Sequence, residues 1–244
     1  MTIPAECLKE VEGKQFFYPC ALHDTEEAVR TFWPWIRDFM FTDIHYGTLS
    51  QLEPFNPPPG LVRAGTMIDG TDNGPSQMVT DGVLQYRHVD PAIRLETFMT
   101  DQAQTLTIRR RHGFGQYSLL EQFADRSIGV FMHRGDSPGE AGSNTFFLGN
   151  VRKDHEPLSD LWAKLSQKLA DTALIVSDGS NTRFRFLKRF HHRAIDGVMA
   201  FRAMHGRSWV RGGFKWQCVG FMENRYGPTL VWKVQRRTNP FSTA

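Results

Sequence analysis

Hydrophobic residues near the start of the chain follow a strand–helix–strand pattern between Gln15 and Tyr46. The aromatic run Phe16–Tyr18 predicts a buried strand, and Asp24 is suited to cap the helix that follows. That helix is indicated by apolar residues at near-helical spacing, namely Ala28, Val29, Phe32 and Trp33. A second strand is indicated by Phe39, Phe41 and Ile44, and its exit carries Asp43. A unit of this length predicts two parallel strands joined by a right-handed crossover.

The rest of the apolar pattern predicts an open sheet with helices between its strands. Further strands are expected at 61–67, 82–88, 94–100, 105–111, 128–133 and 173–176. Helices are expected at 113–125, 157–171 and 182–193. Two more strands, 213–222 and 229–236, predict a closing antiparallel hairpin. We therefore predict one α/β domain over residues 1–244, with a Rossmann-like, mostly parallel sheet and a C-terminal antiparallel hairpin.

A Pro/Gly-rich insertion is expected at about 47–93, between the opening unit and the strands that follow. Residues 53–60 (EPFNPPPG) contain three consecutive prolines, which remove backbone donors and fix φ, and residues 69–75 (DGTDNGP) are rich in turn dipeptides. A long passage of this kind is a lid or binding loop, or else a connection with no role of its own.

Composition places the chain among ordinary globular proteins. Of its 244 residues 40% are hydrophobic and 23% charged, so a core can form without disulfides or metals. The three cysteines are far apart and form no CxxC pair, which favours a reducing, cytoplasmic setting. The sequence shows neither a signal peptide nor a membrane span, so we expect no membrane partner.

Charge is unevenly distributed, because the net charge of +3 hides a basic C-terminal third at 183–237. Its basic residues are Arg183, Arg185, Lys188, Arg189, Arg193, Arg202, Arg207, Arg211, Lys215, Arg225, Lys233, Arg236 and Arg237. Only Asp196 and Glu223 oppose them. This polarity indicates a polyanionic partner.

Polar groups follow three of the predicted strands. Asp43 and His45 follow the second strand, the run from Arg134 to Ser137 contains Asp136, and Asp178 opens the sequence DGSN. Because parallel strands end at one edge of a sheet, these groups are expected to converge there. The catalytic candidates are Arg134, Asp136, Asp178, Ser180 and Asn181. The alternative is that each run only holds a turn.

The order of elements resembles that of the class I S-adenosylmethionine-dependent methyltransferases: strand, turn, helix, strand with a terminal acid, further strand–helix units and a closing hairpin. In that family the first turn holds the cofactor and the acid after the second strand binds its ribose hydroxyls. The resemblance implies S-adenosylmethionine as cofactor, with Tyr18, Cys20, Asp43 and His45 beside it. The first turn, residues 19–24, differs from the family in containing no glycine.

The basic third also interleaves cations with aromatic residues. Positive charge follows phosphates and rings stack on unpaired bases, so a nucleic acid or nucleotide is a possible partner. The candidate phosphate-binding residues are Arg183, Arg185, Lys188, Arg189 and Arg193. On the opposite interpretation, the rings are core residues and the cations form a solvated face.

Three functions follow from these observations. The first is a group transferase, methyltransferase-like, that acts on a nucleic acid or nucleotide. The second is a non-catalytic nucleic-acid-binding protein. The third is an enzyme acting on phosphate esters through Mg²⁺ held by Asp136, Glu140 and Asp178. The sequence lacks GxSxG, Walker A, HExxH and GxGxxG motifs, which disfavours the hydrolase, NTPase, zincin and dinucleotide-binding classes.

Overall fold

The fold is that of a computed structural model, which describes residues 3–19, 21, 24–43, 46, 49–70, 77–80, 83–86, 92–112, 122–134, 161–180, 182, 184–191, 193–222 and 228–237. Its helices are α1 (Ala5–Lys9), α2 (Thr25–Phe32), α3 (Leu161–Lys168) and α4 (Gly197–Met204), with a 3₁₀ turn at Leu187–Phe190. Its strands are β1 (Gln15–Pro19), β2 (Asp38–Asp43), β3 (Leu61–Asp69), β4 (Gln77–Thr80), β5 (Val83–Tyr86), β6 (Ile93–Thr100), β7 (Thr105–His112), β8 (Ile128–His133), β9 (Leu169–Ser177), β10 (Ser208–Arg211), β11 (Phe214–Met222) and β12 (Thr229–Arg236).

Ten of these strands form one sheet, in the order β10-β11-β12-β9-β8-β1-β2-β7-β6-β3. The five in the middle, from β9 to β7, are mutually parallel, and β1 pairs with both β2 and β8. At both ends of the sheet the neighbours pair antiparallel. The β4–β5 hairpin forms a separate two-stranded sheet.

The prediction of a mostly parallel, Rossmann-like α/β sheet is wrong. The sheet is mixed, and antiparallel pairs outnumber parallel ones. The short connection of residues 101–104 makes β6 and β7 an antiparallel hairpin, whereas β3 and β6 pair antiparallel although residues 70–92 separate them along the chain. The predicted C-terminal hairpin is present as β11 and β12, but it continues into the antiparallel pairs β10–β11 and β12–β9.

Two predicted helices also differ from the structure. Instead of the predicted helix at 182–193, the described residues there include a short 3₁₀ turn at Leu187–Phe190, which buries Leu187 and Phe190 on one face at its three-residue period. The helix expected at 157–171 ends at Lys168, because Leu169 already pairs with Ile128 in the sheet.

Side chains on the two faces of the sheet form two separate core clusters. One cluster joins the inward sides of α1 and α2 to alternate strand residues such as Phe16, Phe39 and Val130. The other joins α3, α4 and the 3₁₀ turn to the intervening residues, including Phe17, Phe131 and Ile175. In the central strands both faces are therefore buried, as expected for parallel strands. No helix in the described ranges has the length and apolar content needed to cross a membrane.

Candidate functional site

The carboxyl ends of β1, β2, β8 and β9 lie along one edge of the sheet, which we call the carboxyl edge. Asp43 ends β2, and Asp178 directly follows β9. Because β1 and β8 lie between these two strands, the acids are three strand spacings apart, or roughly 14 Å along the edge. The two acids thus share an edge, but no small reacting group could touch both.

Arg134 follows β8 at the middle of the carboxyl edge, and its side chain is fully buried. Its Nε donates to Asp24 Oδ2 at 2.9 Å, and one terminal nitrogen pairs with Glu27 in the first turn of α2. The Tyr18 hydroxyl donates to the same Asp24 oxygen at 3.1 Å. This cluster attaches the start of α2 to the ends of β1 and β8.

Burial and charge shift the pKa of two members of this cluster. Burial, reinforced by the Asp24 carboxylate, raises the pKa of Tyr18 well above its usual range, although the Arg134 charge opposes the shift. Burial lowers the pKa of Arg134, but the Tyr18 hydroxyl and the Asp24 and Glu27 carboxylates outweigh burial and raise that pKa overall. Tyr18 is therefore a neutral hydrogen-bond donor at physiological pH, and Arg134 is a fixed cation.

Asp178 and Ser180 belong to a tight turn after β9. The Asp178 carboxylate accepts from the Ser180 backbone N–H at 2.8 Å, and the Gly179 N–H donates to Ser177 Oγ at 3.0 Å. Gly179 has φ +83°, and a Cβ there would lie 2.1 Å from the Leu187 carbonyl oxygen. The turn thus packs directly on the backbone of the 3₁₀ turn.

The predicted cofactor residues are placed only in part. Tyr18 and Asp43 are buried, with Tyr18 1% and Asp43 4% exposed, and Asp43 is already engaged in an interaction within the protein. Six further candidates lie outside the described residues: Cys20, His45, Asp136, Glu140, Asn181 and Arg183. Within the described ranges no three His, Cys, Asp or Glu side chains approach closely enough to hold a metal ion.

The basic segment surrounds a cavity of about 620 Å³, which we call the basic pocket. Its lining residues are Arg185, Phe186, Lys188, Arg189, His191, Arg193, Met204, Arg207 and Trp209. Four of these, Arg185, Lys188, Arg189 and Arg193, are predicted phosphate-binding residues, and the structure brings them together around one concavity. No carboxylate lines the pocket in the described part of the chain.

The five cations of the pocket are Arg185, Lys188, Arg189, Arg193 and Arg207, and all five are exposed. None of them forms a salt bridge with a described acidic residue. An exposed cation outside the pocket, Arg126, does pair with a carboxylate, that of Asp171, at 3.5 Å. Five exposed cations without a described salt-bridge partner therefore surround this one pocket.

Sequence reasoning missed one buried charged cluster, centred on Glu96 of β6. The Glu96 side chain is fully buried and pairs with Arg63 and Arg110, while Arg94 Nε lies 3.7 Å from its Oε2. These arginines also donate to carbonyls of Leu49, Glu53 and Phe55. The cluster thus fixes the proline-rich segment to the sheet. The available signal was the alternation Arg94-x-Glu96-x-Phe98, which places charges on the buried face of a strand.

Comparisons with known proteins give no relative for this chain: it matches no family model and no curated protein.

Proposed function

We propose that this protein binds nucleic acid or nucleotide phosphates at the basic pocket. The observation that carries the proposal is a set of five exposed cations around one cavity, unopposed by any carboxylate that the structure describes there. Placing like charges together costs free energy in the unliganded protein, and a polyanion relieves this cost. The cysteine content favours a cytoplasmic location, which stays a prediction. Nucleic acids occur in that compartment.

The geometry of the segment supports phosphate binding. Lys188 and Arg189 lie on the 3₁₀ turn, whose buried residues Leu187 and Phe190 anchor it in the core. Arg207 approaches from the connection between α4 and β10. Cations held on anchored backbone lose little conformational entropy when they bind an anion, which favours affinity.

The test is the affinity of a fluorescein-labelled twelve-nucleotide oligo(dT), measured by fluorescence anisotropy at several salt concentrations. The triple variant Arg185→Ala, Lys188→Ala, Arg189→Ala should weaken binding about a hundredfold, because each exposed charge pair contributes up to about 1 kcal/mol. The slope of log K against log[salt] should fall by roughly two, since each lost phosphate contact removes about 0.7 from it.

A matched control removes the same charge from the opposite face of the sheet. Lys9, Lys14 and Arg30 are exposed near α1 and α2, and their triple alanine variant should bind within about twofold of wild type. Equal losses in both triple variants would show that net charge, and not the pocket, binds the oligonucleotide. Binding to anionic phospholipid vesicles without binding to the oligonucleotide would also contradict the proposal.

A group transferase on a nucleic acid is a second candidate. Its support is that Asp43 and Asp178 lie at the same carboxyl edge. In the sheet β1 lies between β8 and β2, and open sheets bind ligands at the carboxyl ends of strands in such a position. The described residues fit S-adenosylmethionine poorly, because Asp43 is buried and engaged and the Arg134 cluster fills the end of β1. No catalytic step is therefore assigned to it.

The transferase candidate has its own test. If S-adenosylmethionine binds at the carboxyl edge, millimolar ligand should raise the melting temperature by a few degrees, through mass action on the folded state. Asp43→Asn should remove that rise, and the pocket variant Arg189→Ala should retain it. An unchanged melting temperature with wild-type protein removes S-adenosylmethionine as the cofactor.

A further inference from the structure

An aromatic column leads from the core to the basic pocket. Phe184 stacks on Phe186 with ring centroids 5.9 Å apart, and Phe186 stacks on Trp209 at 5.0 Å with planes only 6° apart. Trp216 and Trp232, both buried, hold Phe186 by edge contacts at 5.4 and 5.3 Å. The column is thus rigidly anchored at its inner end.

Trp209 is the outer member of this column. It is half-buried, lines the pocket, and meets Phe186 with one face and Trp232 by an edge contact at 5.6 Å. Among the described rings none stacks on its other face. Because Trp209 is half-buried and lines the pocket, part of its ring is accessible to another flat group beside the five exposed cations.

We infer that the basic pocket takes single-stranded nucleic acid, with one unpaired base stacked on Trp209 and the adjoining phosphates on the surrounding cations. This inference rests on the proposed function and specifies its ligand. A base in a duplex is stacked on both faces, so it cannot offer a face to Trp209 without unpairing.

The size of the cavity agrees with this ligand. A volume of about 620 Å³ lies within the range of sites that enclose a small molecule, about 300–1,000 Å³. A concavity of this volume can accommodate a nucleotide unit but not an intact double helix. The alternative is binding of a polyanion such as polyphosphate through its charge alone. Such a ligand would contact the cations, and Trp209 would have no role in binding it.

The first measurement leaves the protein unchanged. Wild-type protein is titrated with the labelled twelve-nucleotide oligo(dT) and with an abasic strand of equal length and charge. Stacking predicts about tenfold weaker binding of the abasic strand, since base stacking on an aromatic side chain is a substantial sequence-independent contribution. A blunt-ended duplex of twelve base pairs, which has no unpaired base, should also bind about tenfold more weakly than the single strand. Equal affinities for the abasic strand and oligo(dT) would overturn the inference.

The second measurement uses variants at Trp209. Trp209→Ala should weaken oligo(dT) binding about tenfold and leave inorganic polyphosphate binding within about twofold, while Trp209→Phe should retain most of the affinity. Val210→Ala, at a 44% exposed neighbour on the same strand, is the matched control and should bind as wild type does. Circular dichroism melting confirms that each variant is folded, because Trp209 also packs on Phe186.

The outcomes distinguish failure of the proposed function from failure of the inferred ligand. If neither oligo(dT) nor polyphosphate binds to wild-type protein, the proposed function itself fails. If both bind, and Trp209→Ala and the abasic strand change nothing, the pocket binds polyanions without reading bases, and only the inference of a stacked single strand fails.

Discussion

Replacing Glu96 by alanine should lower the free energy of unfolding by about 3–5 kcal/mol, because it leaves buried arginines without their counter-charge. The Glu96 side chain is fully buried and accepts from Arg63, Arg110 and the Phe55 backbone N–H, the last at 3.1 Å. Losing it would also release the proline-rich segment that the arginines fix to the sheet. Urea unfolding followed by tryptophan fluorescence measures the effect.

Two further variants isolate the role of charge. Glu96→Gln keeps the size of the side chain and should still lose most of the stability, whereas Asp38→Ala breaks a half-exposed pair with Arg109 and should cost only about 1 kcal/mol. If Glu96→Gln is as stable as wild type, the negative charge is not what stabilises the cluster.

The same cluster predicts how stability depends on pH. Burial raises the pKa of Glu96, but the Arg110 charge and the hydrogen bonds from Arg63, Phe55 and Arg110 outweigh burial and lower that pKa overall. A lowered pKa in the folded state stabilises the protein above the pKa of the unfolded chain, and this stability is lost as pH falls through the folded pKa. Unfolding curves of Glu96→Gln should therefore depend less on pH between about 5 and 3 than those of wild type.

Replacing Gly179 by alanine should have a comparably large effect, roughly 3–5 kcal/mol. Its φ of +83° is unfavourable for any residue with a Cβ, and that Cβ would lie 2.1 Å from the Leu187 carbonyl oxygen. Because the contact is backbone, relief requires the 3₁₀ turn bearing Lys188 and Arg189 to move. Oligo(dT) affinity should therefore fall together with the melting temperature.

Gly13 provides the matched control for the clash. It also has a positive φ, +71°, but nothing lies within 4 Å of an added Cβ. Gly13→Ala should cost only about 1–2 kcal/mol and leave oligo(dT) binding unchanged. Similar losses of stability in both variants would mean that backbone strain alone, without the contact to Leu187, explains the effect of Gly179→Ala.

Local patterns in the sequence predicted individual elements well but not how the sheet is assembled. The strand at 128–133 has the predicted bounds, and β1 and β2 pair in parallel as expected. The antiparallel β11–β12 hairpin was predicted, but the antiparallel pair of β12 with β9 was missed, because pairing partners are decided by contacts between distant residues such as Trp232 with Ile175. Strand periodicity carries no information about that choice of neighbour.

The candidate site shows the same division. A run of cations in the sequence is sufficient to nominate Arg185, Lys188 and Arg189, but only the fold shows that they surround a cavity with Arg207 and Trp209. Asp178 was nominated as catalytic from its place after a buried strand, yet its carboxylate accepts from the Ser180 backbone in a turn. The residue type does not distinguish these roles, because the same carboxylate can serve either.

The position of β1 at the middle of the sheet has a consequence for how the chain folds during synthesis. One neighbour, β2, follows within thirty residues, but the other, β8, begins only at Ile128, and β9 pairs with β12 near the C-terminus. Until those segments leave the ribosome, the apolar faces of the central strands have no complete cover. Folding should therefore be late and slow, with a nascent chain that needs protection from aggregation.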